Sequence, residues 1–175
     1  MTIKKLNLGC GTDYKDGWVN VDLEINIYGE KSKTDINHDL NVYPYPFKDN
    51  DFDFIWSWGL LEHIKDLDLH IKELTRISKK KCKIEIHVPY FLSYTTGKEL
   101  SVNKFGLNCV QLFAIFEKYG WKLISKKLNV SYNKYLHWLN CVVNYCGFTQ
   151  NFLERFLIII PEGIDWVFEL NEKNE

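Results

Sequence analysis

The sequence predicts an α/β sandwich built on a mostly parallel sheet, and three observations predict it. Strand-like and helix-like segments alternate along most of the chain. The first strand-like segment, ending at Leu8, runs into a glycine turn, Gly9-Cys10-Gly11. The second, Trp18-Val19-Asn20-Val21-Asp22, ends in an acid. Ligands of such sheets sit beyond the carboxyl ends of the strands. That rule brings Gly9–Gly11, Asp22, Asp39, Ser57-Trp58 and His87-Val88-Pro89 to one rim.

Residues 3–8 and 18–23 read as the first two strands. Only Gly9 to Gly17 separate them, whereas a parallel crossover needs about a dozen residues. Either this crossover is short or the two strands are antiparallel. A weak third strand is expected near Thr34–Ile36. Tyr43-Pro44-Tyr45-Pro46-Phe47 reads as an extended edge presenting aromatic rings, because its prolines remove donors and fix φ. Asp53–Trp58 has the composition of a buried strand. Leu60, Leu61, Ile64, Leu67, Ile71, Leu74 and Ile77 recur at helical spacing and predict a helix over 60–78, ended by Lys79-Lys80-Lys81. Lys83–Val88 alternates as a strand, residues 90–107 read as a loop, and Val110–Tyr119 as a helix stopped by Gly120. Trp121–Val130 and Ile164–Leu170 are strands. Between them, residues 132–160 form an aromatic, helical insertion in what reads as a single domain over 1–175.

Composition limits the function. Hydrophobic residues make up 46% and charged residues 26% of 175, ordinary for a globular chain. A net charge of −1 gives no general attraction to nucleic acid or anionic membrane. The five cysteines are odd in number and form no C-x-x-C pair, so neither a disulfide framework nor a metal site is expected and a cytoplasmic setting fits. No apolar run approaches the ~20 residues of a membrane span. The glycine turn is not of dinucleotide type. Tyr14 stands where a third glycine would, and Gly9 and Asp22 are 13 residues apart, against about 20 in that fingerprint.

Read together, several segments resemble a known family. They are Leu6-Asn7-Leu8-Gly9-Cys10-Gly11, Gly17-Trp18-Val19-Asn20-Val21-Asp22, Asp39-Leu40, Pro46-Phe47-Lys48-Asp49-Asn50-Asp51-Phe52-Asp53 and Leu61-Glu62-His63-Ile64. They resemble class I S-adenosylmethionine-dependent methyltransferases, nearest the short methyltransferase domain 11-like branch. The resemblance covers residues 3–90 well and the rest loosely. The end of the chain, from Phe152 to Leu170, is similar to branch members linked to cell-surface glycan pathways. The resemblance implies a Rossmann-like, mostly parallel seven-stranded sheet whose last strand, Ile164–Leu170, is antiparallel and inserted beside 83–88. It implies S-adenosylmethionine as cofactor. Gly9, Cys10 and Gly11 would line its methionine part, and Asp22 would hold the ribose hydroxyls, with Leu23 beside it. Asp39 and Leu40 would flank the adenine, and Ser57 and Trp58 would close the pocket near the sulfonium. Three departures stand out. The first crossover is short, Lys79-Lys80-Lys81-Cys82 replaces the usual Lys-Pro-Gly-Gly turn, and Glu99–Gly106 holds no histidine.

Methyl transfer needs orientation and exclusion of water more than covalent help from the protein. An alcohol or amine acceptor must also lose a proton. His63 is the first candidate base, on the rim and of the residue type most used for proton transfer near neutral pH. His87 is the second, and Glu62 reads as structural. Cys10 reads as a small wall residue rather than a nucleophile. The aromatic residues of 132–160 would serve as core, as a sugar-packing acceptor wall or as a homodimer interface. The expected activity is methyl transfer to a small-molecule or glycan-linked acceptor at oxygen. The alternatives are a nucleic-acid methyltransferase, or a binding module that keeps the fold without turnover.

Overall fold

The computed structural model describes residues 3–25, 31–90, 103, 105, 109–129 and 162–171. The expected insertion at 132–160 and most of the loop at 90–107 lie outside them. A seven-stranded sheet carries the described chain, in the order β3-β2-β1-β4-β5-β7-β6. Its strands are β1 Lys5–Leu8, β2 Val19–Asp22, β3 Ile36–Asn37, β4 Phe52–Trp58, β5 Ser78–Pro89, β6 Trp121–Asn129 and β7 Gly163–Leu170. The first five are parallel. β7 runs antiparallel between β5 and β6, as the resemblance implies.

β1 and β2 are parallel, so the crossover is short. Side-chain amides replace the helix that usually spans such a connection. Asn7 and Asn20 are register partners on one face of the sheet. Asn7 Nδ2 donates to Asn20 Oδ1 at 2.9 Å and to the Asp13 carbonyl at 2.7 Å. Asn20 Nδ2 donates to the carbonyls of Lys15 and Trp18, and its Oδ1 accepts from the Lys15 N–H. Both residues are buried, and their amides satisfy a loop that has no regular structure of its own.

Strand alternation sorts the side chains onto two faces. Leu6, Leu8, Ile55, Ile84, Ile86, Trp166 and Phe168 share one face and are fully or almost fully buried. Helices α1 (Leu67–Ile77) and α2 (Val110–Lys118) cover them. Phe116 stacks on Phe168 at 3.9 Å, and Trp121 Nε1 donates to Thr75 on α1. The opposite face carries Lys5, Asn7, Phe54, Trp56, Trp58, Lys83, Glu85 and His87. No helix covers it among the described residues.

Three expectations change. The helix over 60–78 is broken. Leu61–His63 form a single 3-10 turn, Ile64 is extended, and α1 restarts where Asp66 caps it by accepting from the Leu69 N–H. The lysine run does not end a helix but enters β5. There the register skips between Phe52 and Phe54, and Lys81 takes φ 64°, which supplies the turn that a Gly-Gly pair would otherwise make. The proline-rich stretch is not an aromatic edge. Tyr45 is 2% exposed, and its hydroxyl donates to the Leu40 carbonyl and meets His70 Nδ1 at 2.6 Å.

His70 is fully buried, and desolvation brings its pKa down from 6.5 to about 3. The unfolded chain takes up a proton there as pH falls through 6.5, and the folded chain does not until about 3. The neutral ring therefore contributes stability above pH 6.5 that is lost on acidification, at up to about 1.4 kcal/mol per pH unit. Glu62, raised from 4.5 to about 7, has the opposite slope between those values. Comparison with a His70→Asn variant cancels that second effect. Between pH 6.5 and 5 the stability advantage of wild type over the variant should shrink by roughly 2 kcal/mol in urea unfolding. A constant difference would show that His70 is not held neutral by the fold.

Candidate active site

A cavity of about 640 Å³ opens where β1, β2 and β4 end. Gly9, Cys10, Gly11, Asp22, Leu23, Asp39, Leu40, Trp58 and His63 line it, so one site gathers nearly all the residues expected there. Ser57 is the exception. On β4 it shares the helix-covered face with Leu8 and Ile86, is 0% exposed, and does not line the cavity. Alternation turns Trp56 and Trp58 toward the cavity instead.

Each wall follows from local chemistry. Gly9 has φ +73°, and its N–H donates to the Val21 carbonyl, which ties the first loop to β2. A Cβ at Gly9 would stand 3.2 Å from the Leu60 side chain. Glycine thus lets the first loop lie against the β4 loop. Asp22 Oδ2 accepts from the Gly11 N–H and Oδ1 from its neighbour Leu23 N–H, both at 2.7 Å. Two backbone donors therefore fix the carboxylate plane before any ligand arrives, while each oxygen keeps acceptor capacity. Burial and the nearby Asp22 charge push the Cys10 thiol up to about 12, so it is an inert wall. Asn41 closes the far side by accepting from Lys65 N–H and donating to the His63 carbonyl.

The sequence reads Glu62 as structural, on the face of a continuous helix over 60–78 opposite its apolar stripe. The break at Ile64 instead turns it inward, where it is 5% exposed and lines the cavity. Its Oε1 lies 3.9 Å from His63 Nε2, and its Oε2 has no hydrogen-bond partner among the described residues. Burial raises its pKa to about 7. His87, the second candidate base, does not line the cavity. It lies behind Trp58, with ring centroids 3.7 Å apart, and Asp165 accepts from its Nδ1.

The arrangement suits a nucleoside carrying an amino-acid tail. Asp22 offers a prealigned acceptor pair for vicinal hydroxyls, Leu23 and Leu40 offer apolar contact for a base, and Gly9 allows close backbone approach. A second concavity, about 680 Å³, lies on the helix-free face. Trp18, Phe54 and Trp56 floor it, and Lys5, Lys15 and Lys83 stand among its lysines.

Comparisons with known proteins agree with this fold. Residues 6–86 match the model of a methyltransferase-domain family. No curated protein matches the chain. Among solved structures, an S-adenosylmethionine-dependent methyltransferase from Mesorhizobium loti has TM-score 0.63 at 8% identity, over 95% of this chain and 90% of that one. One from Archaeoglobus fulgidus has TM-score 0.59 at 16% identity, over 95% and 86%. A chain from Haloferax volcanii, solved in complex with the Trm112 methyltransferase activator, has TM-score 0.60 at 14% identity, over 98% and 86%.

Proposed function

We propose that this chain, which belongs to the class I S-adenosylmethionine-dependent methyltransferases, methylates oxygen on a small-molecule or glycan-linked acceptor. One observation carries the reading: the Gly9 loop, the Asp22 carboxylate and the Trp58–His63 segment converge on one cavity at the strand ends. When bound there, S-adenosylmethionine supplies an electrophilic methyl group on sulfur. The residues do the rest. Asp22 orients the ribose through both carboxylate oxygens, and Asp39 with Leu40 flanks the adenine. Gly9, Cys10 and Gly11 line the methionine tail. Trp58 and Leu60 exclude water from the reacting end. His63, with a side chain 12% exposed, takes the acceptor's proton on its imidazole.

The test is transfer of label from methyl-labelled S-adenosylmethionine into fractionated metabolites, glycans and RNA. Label in sugar or small-molecule fractions, as a methyl ether, is the expected result. Label in RNA would favour a second reading, which the lysine- and tryptophan-lined concavity on the other face supports. Cofactor binding with label in no fraction would favour a module without turnover.

A further inference from the structure

The cavity is acidic. Asp13, Asp22, Asp39 and Glu62 line it, and no lysine or arginine does among the described residues. Three of these carboxylates have partners: Asp22 the Gly11 and Leu23 N–H groups, Asp13 the Lys15 ammonium, Asp39 the Asn41 N–H. Glu62 differs. It is the most buried of the four; among the described residues its Oε2 is without a hydrogen bond, and the carboxylate has only its own backbone N–H and, 3.9 Å from Oε1, His63 Nε2 as polar neighbours. A carboxyl in such a place is costly to ionise until a cation reaches it. Among the described residues, the groups that face it are His63 on its own turn, Cys10, Asp13 and Asp22 on the first two loops, Asp39 across the cavity, and His87 with Asp165 behind Trp58. None supplies a fixed positive charge.

S-adenosylmethionine brings one. Its sulfonium and α-ammonium outweigh its carboxylate by one unit. The Gly9 loop abuts Leu60 of the turn that carries Glu62, so a tail held by the glycine loop would lie on the same cavity wall as Glu62. We infer that Glu62 is a cation-reading residue: it gives up its proton to solvent when the positively charged methionine half of the cofactor enters, and then pairs with it. The inference rests on the cofactor reading above. It deepens that reading by assigning to one side chain a preference for the charged cofactor. Folded but empty, the site keeps Glu62 largely neutral at pH 6.5, because burial raises its pKa to about 7. If the charge that it reads is the sulfonium, the neutral thioether product loses this partner, and its release is favoured.

Titration calorimetry of the full chain at pH 6.5, in two buffers of different ionisation enthalpy, tests this with three probes. S-adenosylmethionine carries both cations, S-adenosylhomocysteine only the ammonium, and methylthioadenosine neither. Wild type should release more than about half a proton per S-adenosylmethionine bound and none with methylthioadenosine. Glu62→Gln should abolish that release and weaken S-adenosylmethionine on the order of tenfold, leaving methylthioadenosine unchanged. Release with S-adenosylhomocysteine as well identifies the ammonium as the charge read. Release with S-adenosylmethionine alone identifies the sulfonium. The proposal is overturned if wild type releases no proton, if the release persists in Glu62→Gln (which would place it on His63), or if that variant weakens all three probes equally. Should the variant fail to fold, the wild-type proton count decides. If none of the three probes binds wild type, the cofactor reading itself fails.

Discussion

Replacing Asp22 by alanine should weaken binding of S-adenosylhomocysteine by about one to a few kcal/mol, roughly five- to several-hundred-fold. Two losses add. The first is the charge-assisted acceptor for the ribose hydroxyls. The second is internal, because the carboxylate that would grip the sugar also accepts from the Gly11 and Leu23 N–H groups. Without it the glycine loop is no longer held at the angle the ligand needs, and the ligand must order the loop itself. Asp22→Asn separates the two losses. An asparagine keeps an acceptor for the Gly11 N–H while losing the charge, so its penalty should fall between wild type and alanine. Calorimetry with each variant is the measurement. Equal affinity for wild type and Asp22→Ala would remove Asp22 from the site. A large loss in Asp22→Ala with none in Asp22→Asn would show that loop order, rather than charge, is what Asp22 contributes.

The sheet was legible in the sequence because strand periodicity and turn residues are local signals. Each strand reads from its own short stretch of residues, and the rule that ligands gather at carboxyl ends then brought most cavity residues together without coordinates. What stayed hidden depended on facing and on caps. Phe54-Ile55-Trp56-Ser57-Trp58 is apolar on both faces, so no alternation of polarity reveals that Ser57 points at the helices and Trp58 at the cavity. Leu60, Leu61 and Ile64 fit the helical period of α1 by coincidence of spacing. The cap at Asp66 was the signal that separates them, and it outweighs periodicity here because its side chain accepts from the Leu69 N–H, one of the free donors of the first turn. That one error set Glu62, read as structural, away from the cavity it lines. Tyr45 was misread for another reason. Its prolines describe the backbone correctly, but burial of the ring depended on finding His70 and the Leu40 carbonyl, partners distant in sequence or set by the turn.

The short first crossover carries the other large expected effect. Asn20→Ala should lower unfolding stability by about 2–4 kcal/mol, since each buried polar group left without a partner costs about 1–3 kcal/mol. The variant removes the Asn20 partner of the Lys15 N–H and of the Trp18 carbonyl, leaves the Lys15 carbonyl with the Trp18 N–H alone, and halves the bonding of Asn7 Nδ2. A parallel pair joined without a helix has few apolar contacts to hold its loop, so these hydrogen bonds carry the connection. Asp13→Asn in the same loop is the control. It removes only an exposed ion pair to Lys15, whose acid is 67% exposed, and should change stability by about half a kcal/mol or less. Urea unfolding of the two variants decides. A small effect of Asn20→Ala would mean that the loop finds water or other partners when the amide is gone. The network would then shape the cavity without stabilising the sheet. Cofactor affinity should fall in Asn20→Ala as well, because the same loop carries Gly11 to the Asp22 carboxylate. Stability and binding are therefore coupled through a single buried amide pair, and an Asn20 variant that lost stability while keeping full affinity would break that coupling.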